Sequence, residues 1–184
     1  MRKKFPSLLG MLLFTPWACA VGIHQHGVAQ LDLALEPPQL SVAIHSPLAN
    51  LIGFEHPPAT PQQQALWVGL QQQLQQAQQH IVLPDAAACT LQAVRLSAPF
   101  ADHEHNHDHD HDHDHAHDHD HDHSHADLSV EYDFHCTQAA ALNSLQLPLM
   151  QNFPAIERLD VQMLTPSGQH FFHLNHLEHR LPLP

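Results

Sequence analysis

The chain has 184 residues, room for one domain with accessories and too little for two ordinary ones. Lys and Arg total 6 against 19 Asp and Glu, a formal net charge of -13. That balance excludes a nucleic-acid ligand, whose binding needs a basic surface, and argues against an anionic membrane surface. It favours a cationic partner, and the 22 histidines say of which kind.

Arg2, Lys3 and Lys4 form a positive head, followed by a mostly apolar run containing Leu8, Leu9, Met11, Leu12, Leu13 and Phe14. Ala18-Cys19-Ala20 then supplies small residues at a cleavage site. The pattern predicts a secretory signal peptide over 1–20, removed after Ala20. Its apolar stretch is too short to span the ~30 Å of a bilayer as a helix. The mature chain, 21–184, reads as a single exported α+β metal-binding domain with no membrane insertion, carrying a His/Asp-rich insert over 101–127.

His24-Gln25-His26-Gly27 follows the cleavage point closely. Two histidines at i and i+2 of an extended chain share a face and can pinch one metal ion. They read equally as two exposed polar residues at a chain end. Residues 28 to 46 then predict two strands. Ala29, Leu31, Leu33 and Leu35 alternate with polar or small residues, and Leu40, Val42 and Ile44 do the same, so the pair is antiparallel and half-buried. Pro37-Pro38 lies at the turn and suggests a loop wider than two residues, because proline cannot supply positive φ. If pairing runs back from that turn, the segment after Ser46 lies across from His24. Glu55 and His56, in Gly53-Phe54-Glu55-His56, then approach it as further ligands.

Thr60-Pro61-Gln62-Gln63 is a helix start, with Thr as N-cap, Pro at the first position and Gln three residues after the cap. Leu66, Leu70, Leu74, Ala77 and Ile81 make one apolar stripe at helical spacing, so the helix is expected to run on until Pro84. His80 would then sit at its C-terminus, where the dipole favours a cationic imidazole. Thr90–Ser97, Leu128–His135, Arg158–Leu164 and Gln169–Leu174 predict further strands, and Leu147–Phe153 a short helix. The fold class is α+β, a mainly antiparallel sheet of about six strands with one long and one short helix on one face.

Without Cys19 two cysteines remain, Cys89 and Cys136. In an oxidising compartment they read as one disulfide closing a loop of 47 residues around the insert, on the order of 4 kcal/mol by chain entropy. The alternative is a pair of thiolate metal ligands.

Within the insert every odd position is histidine: His103, His105, His107, His109, His111, His113, His115, His117, His119, His121, His123 and His125. The residues between them are mostly Asp, and only Ala116 is apolar, so the stretch cannot bury a core and is expected to be disordered without metal. Imidazole suits Zn²⁺, Ni²⁺ and Cu²⁺, and carboxylates serve as partners for the imidazole N–H. With three or four nitrogens per ion, twelve histidines hold roughly three or four Zn²⁺. His170, His173, His176 and His179 are spaced by three, which in a strand alternates faces, so they read as accessory surface histidines. No nucleophile elbow, phosphate-cradling glycine loop or His-Glu-x-x-His occurs, and the expectation is that the protein is not an enzyme.

His-Gln-His-Gly-Val-Ala-Gln-Leu at 24–31, Ser-Pro-Leu-Ala-Asn-Leu-Ile-Gly-Phe-Glu-His at 46–56, the cysteine pair around a His/Asp loop, and Phe-Pro-Ala-Ile-Glu at 153–157 followed by Gly168-Gln169 resemble the zinc-regulated ZrgA-like proteins. The resemblance covers nearly the whole mature chain. It implies a periplasmic, His-rich zinc binder that supports a zinc uptake transporter system. The resulting expectation is capture of Zn²⁺ for high-affinity uptake. Its rivals are a buffer against zinc excess and a nickel or copper chaperone.

Overall fold

The computed structural model describes residues 25–100 and 126–184. The signal-peptide reading, His24 and the twelve insert histidines lie outside them. Strands β1 (Val28–Glu36), β2 (Gln39–Pro47), β3 (Cys89–Ser97), β4 (Asp127–Cys136), β6 (Arg158–Thr165) and β7 (Gly168–Asn175) form one sheet in the order β3-β4-β2-β1-β6-β7. All its neighbours are antiparallel except β1 and β6. Two strands of three residues, β5 (Ser144–Gln146) and β8 (Arg180–Pro182), pair separately. The helices are α1 (Leu48–Ile52), α2 (Pro61–Leu74) and α3 (Leu149–Asn152). The architecture is α+β as the alternation and the cap imply.

One face of the large sheet is buried. Leu31, Leu33, Val42, Ile44, Val130, Tyr132, Leu159 and Val161 meet Leu70 and Leu74 of α2, Leu48 of α1, Leu149 and Met150 of α3 and Leu145 of β5 in a single core. The other face carries the alternating residues of the same strands, among them Asp32, Ser41, His45, Glu131, Asp133 and Asp160, and is open. Among the described residues no helix is long and apolar enough to cross a membrane.

Three local expectations are corrected. The β1–β2 connection is not wide: Glu36 pairs with Gln39, so Pro37 and Pro38 alone make the turn. Their peptide bond is cis, and a cis-proline turn reverses the chain without positive φ. Helix α2 starts on the predicted capping box, with Thr60 Oγ1 accepting from the Gln63 N–H and Gln63 Oε1 from the Thr60 N–H. It stops at Leu74, however, because tertiary donors take its last carbonyls. The buried Tyr132 hydroxyl donates to Leu74 O at 2.8 Å, and His80 Nε2 donates to Gln73 O at 3.2 Å. Ala77 and Ile81 are still buried, but beyond the helix, and Leu66 of the predicted stripe is exposed. Finally, Ala126 is buried and Asp127 opens β4, so the foot of the insert belongs to the fold.

His80 lies beyond the end of α2. It is fully buried and stacked on Phe153 at 5.6 Å, and burial pushes its pKa down from the ordinary value. With Nε2 donating, Nδ1 has no partner, so a proton there would find no acceptor. The imidazole is a neutral core group, not a cation on a helix dipole. The unfolded chain therefore takes up this proton first as pH falls below about 6.5. His80's contribution to stability is complete above that pH and is lost as pH falls through its depressed folded value. Urea midpoints at pH 7.5 and 5.5 test this: His80→Gln should show a smaller loss on acidification than wild type.

The strands have two unlike ends. At one, Cys89 and Cys136 form the predicted disulfide, next to the Pro37–Pro38 turn. At the other, β1 begins, β2 ends, β3 ends, β4 begins, β6 begins and β7 ends. Residues 101–125 thus join β3 to β4 at the end remote from the disulfide. Nine-residue strand β3 puts about 27 Å between them, at ~3.3 Å per residue. The cysteines lock the base of a hairpin whose tip is the insert.

Candidate metal centre

The turn before β1 is fastened from two sides. Gly27 has φ +78, a region open to glycine and strained for other residues. Its N–H donates to Asn50 Oδ1 at 2.9 Å, while its carbonyl accepts from the N–H groups of Glu157 at 2.7 Å and Arg158 at 3.0 Å. Asn50 is buried on α1 and also donates through Nδ2 to Val28 O and Ser46 Oγ. The start of β1 is therefore tied to the end of β2 through one amide side chain.

Helix α1 delivers the second segment. Gly53, at φ +85, ends it, and Phe54, Glu55 and His56 follow. His26 Nε2 stands 3.0 Å from Glu55 Oε1, with the imidazole 65% exposed and the carboxylate 19%. The two segments singled out in the sequence are brought together here. A carboxylate on one ring nitrogen of a histidine orients the imidazole. His56 is oriented differently. Its Nδ1 donates to Pro57 O at 2.9 Å, its ring stacks on Phe54 at 5.1 Å, and Nε2 lies 3.5 Å from Gln63 Nε2.

The feet of the insert land at the same end. Ala126 O accepts from Leu48 N at 2.8 Å, the first residue of α1, and Phe100 packs against Trp67 of α2. Two further carboxylate–histidine pairs, which the sequence reading did not assemble, lie near this end on the open face. His45 Nε2 is 3.3 Å from Asp32 Oδ2, and His173 Nδ1 is 2.8 Å from Asp160 Oδ1. Asp32's bond raises the His45 pKa against partial burial, helped by the fields of Asp127 and Glu131. Burial works to raise the Asp32 carboxyl, but His45 and Gln30 together hold it below the ordinary range. At the opposite end the described histidines have neutral partners, His135 with Gln39 and His170 with Ser167. Neither is a carboxylate pair.

Among the described residues no three His, Cys, Asp or Glu side chains stand together as a metal-holding group. Cys89 and Cys136 are bonded to each other, so the thiolate alternative is excluded. His170 and His173 alternate along β7, in keeping with their spacing.

A model of the ZrgA family, described as zinc uptake proteins, matches residues 23–183. The chain belongs to the ZrgA family. The match spans the His26 turn, α1 with Glu55 and His56, both strands that flank the insert, and the disulfide. No curated protein matches the chain. Zinc association is thus a property of the ZrgA family, and the geometry above is what this member offers to it.

The fastening of the turn is testable. Gly27→Ala must hold a positive φ and place its Cβ 3.5 Å from the Glu157 carboxyl. A cost of about 1–2 kcal/mol is expected from the backbone alone. Asn50→Ala leaves Gly27 N and Val28 O without this partner and should cost about 2–3 kcal/mol. Both are read by urea unfolding, and a neutral Asn50→Ala would refute the tie.

Proposed function

We propose that this ZrgA-family chain is an exported, periplasmic protein that captures Zn²⁺ and supports high-affinity zinc uptake without catalysing a reaction. The observation that carries the reading is the convergence at one end of the sheet. The His26–Glu55 pair and both feet of the histidine insert occupy the same end, while the disulfide occupies the other. The first twenty residues, with their basic head and small-residue cleavage site, support export, and a disulfide suits an oxidising compartment.

The two parts have different chemistry. The insert offers many interchangeable imidazoles among carboxylates, so it attracts divalent cations and binds several, each at the entropic cost of ordering chain. The His26 turn is already positioned by Gly27, Asn50 and Glu55, so a ligand set built on it forfeits less order and binds more tightly. Zinc caught by the insert therefore passes downhill to a site built on His26, with Glu55 as orienting partner and with His24 and His56 of the same two sequence motifs as the other ligands.

A zinc titration against a competing chelator tests the division. Changing the twelve insert histidines to asparagine should remove most of the capacity and leave one tight site. Adding His26→Ala to that variant should abolish the remaining site. If no tight site survives loss of the insert histidines, the insert is the only binder and buffering replaces delivery as the function.

The ligands must be neutral, so zinc affinity should collapse as pH falls through about 6.5. Titrations at pH 7.5, 6.5 and 5.0 check this. Binding that is equal at all three overturns imidazole ligation.

A further inference from the structure

We propose that the outer edge of β7 is a self-association surface, along which a second copy of the chain adds its own β7 in antiparallel pairing. No metal takes part, so the contact is independent of the zinc reading.

The sheet has two edge strands, and they are built differently. β3 carries a bulge between Leu91 and Ala93, and its Arg95 is tied to Glu131 and Asp133. Bulges and charges are the usual means by which an edge avoids pairing. β7 has neither. Its eight residues, Gly168–Asn175, run in unbroken register with β6 and include no Asp, Glu, Lys, Arg or Pro. Among the described residues β6 is its one sheet neighbour, so the N–H and C=O groups on its outer side face no strand. Phe171, at its middle, is 68% exposed on the open face, and Leu164, diagonal to it on β6, is 45% exposed.

Charge selects the occupant. Two chains of net charge -13 repel, and the densest block of carboxylates is the Asp-rich insert between β3 and β4. β7 is the edge remote from it, five strand spacings or about 24 Å from β3 at ~4.8 Å each. Pairing β7 with its own copy about a two-fold axis builds one continuous sheet. The two inserts then leave from opposite edges and opposite ends of that sheet. Their separation far exceeds the Debye length of ~8 Å at physiological salt, so their repulsion is screened. An uncharged strip is also self-complementary, as a two-fold contact requires.

Side-chain alternation sets the register. Opposed residues of an antiparallel pair share a face, so the two-fold axis must fall on a residue rather than between two. Centred on Phe171, the pairing runs from Gly168 to Leu174 and brings the two exposed rings together as an aromatic cross-strand pair. The contact is one strand wide, at the small end of specific interfaces, so association is weak and concentration-dependent.

The test uses the purified chain in a metal chelator, so that no zinc bridges two copies. Sedimentation velocity over a concentration series should show a reversible monomer–dimer equilibrium. It should tighten as salt is raised, because salt screens the repulsion and breaks no ion pair in the contact. Hydrogen exchange in the same series should slow the outward, alternate amides of β7 at least about tenfold, with the amides of β3 unchanged. Phe171→Lys changes an exposed position and sets like charges opposite each other, so it should weaken association at least about tenfold. Gln92→Lys, on the β3 edge, should not. A chain that stays monomeric up to about 1 mM overturns the proposal, including the case in which β7 accepts a strand only from a different protein. So does a dimer whose β7 amides exchange at the monomer rate, one that weakens with salt, one that Phe171→Lys leaves intact, or one that Gln92→Lys dissociates.

Discussion

The register of the central β1–β2 pair governs the rest of the molecule. Because Glu36 faces Gln39 across two prolines, Gln30 must face His45 and Leu31 must face Ile44. Side chains alternate along a strand, so this one pairing sends Leu31, Leu33, Val42 and Ile44 to the core and Asp32 and His45 to the open face. A slip by one residue would exchange the two sets. The same pairing carries the end of β2 to the start of β1, where Asn50 can reach Gly27 and Val28 at once. The His26 turn is thus a consequence of the sheet, set by backbone hydrogen bonds to Gly27 O and by the Asn50 amide.

The two ends of that sheet divide stability from chemistry. The far end holds the disulfide and the tight β1–β2 turn. The near end gathers three carboxylate–histidine pairs, on β1 with β2, on β6 with β7, and between the His26 turn and Glu55. Each pair lies between segments brought together by the fold, and in each the carboxylate orients the imidazole. The histidines of these pairs are open to solvent. The neutral, buried His80 is the contrasting case, an imidazole whose environment forbids both charge and metal.

Much of this was legible in the residues. Strict alternation gave the strands, and Thr60-Pro61-Gln62-Gln63 gave the helix start to the residue, because both signals are local. The joining of His26 to Glu55 was also foreseeable, since an antiparallel pair returns the chain to its start. What escaped was non-local. The end of α2 is decided by Tyr132, 58 residues away, whose hydroxyl takes the Leu74 carbonyl. The His45–Asp32 pair is not legible from the residues, because a wide β1–β2 loop leaves the register uncounted and only the two-residue turn fixes it. Strands of three residues such as β5 and β8 are too short to show a period. The role of Asn50, a polar residue in a five-residue helix, had no sequence signal beyond its place in the family motif.

The placement of the insert at the tip of a covalently locked hairpin has an evolutionary consequence. Its two ends are already held together by β3–β4 pairing and by the disulfide, whatever the length of chain between them. Loop closure grows only logarithmically, so doubling such a segment costs about 0.6 kcal/mol. Histidines can therefore be gained or lost by duplication and deletion with almost no selection from folding. The number of histidines in the insert is thus free to vary, while the domain that presents them stays the same.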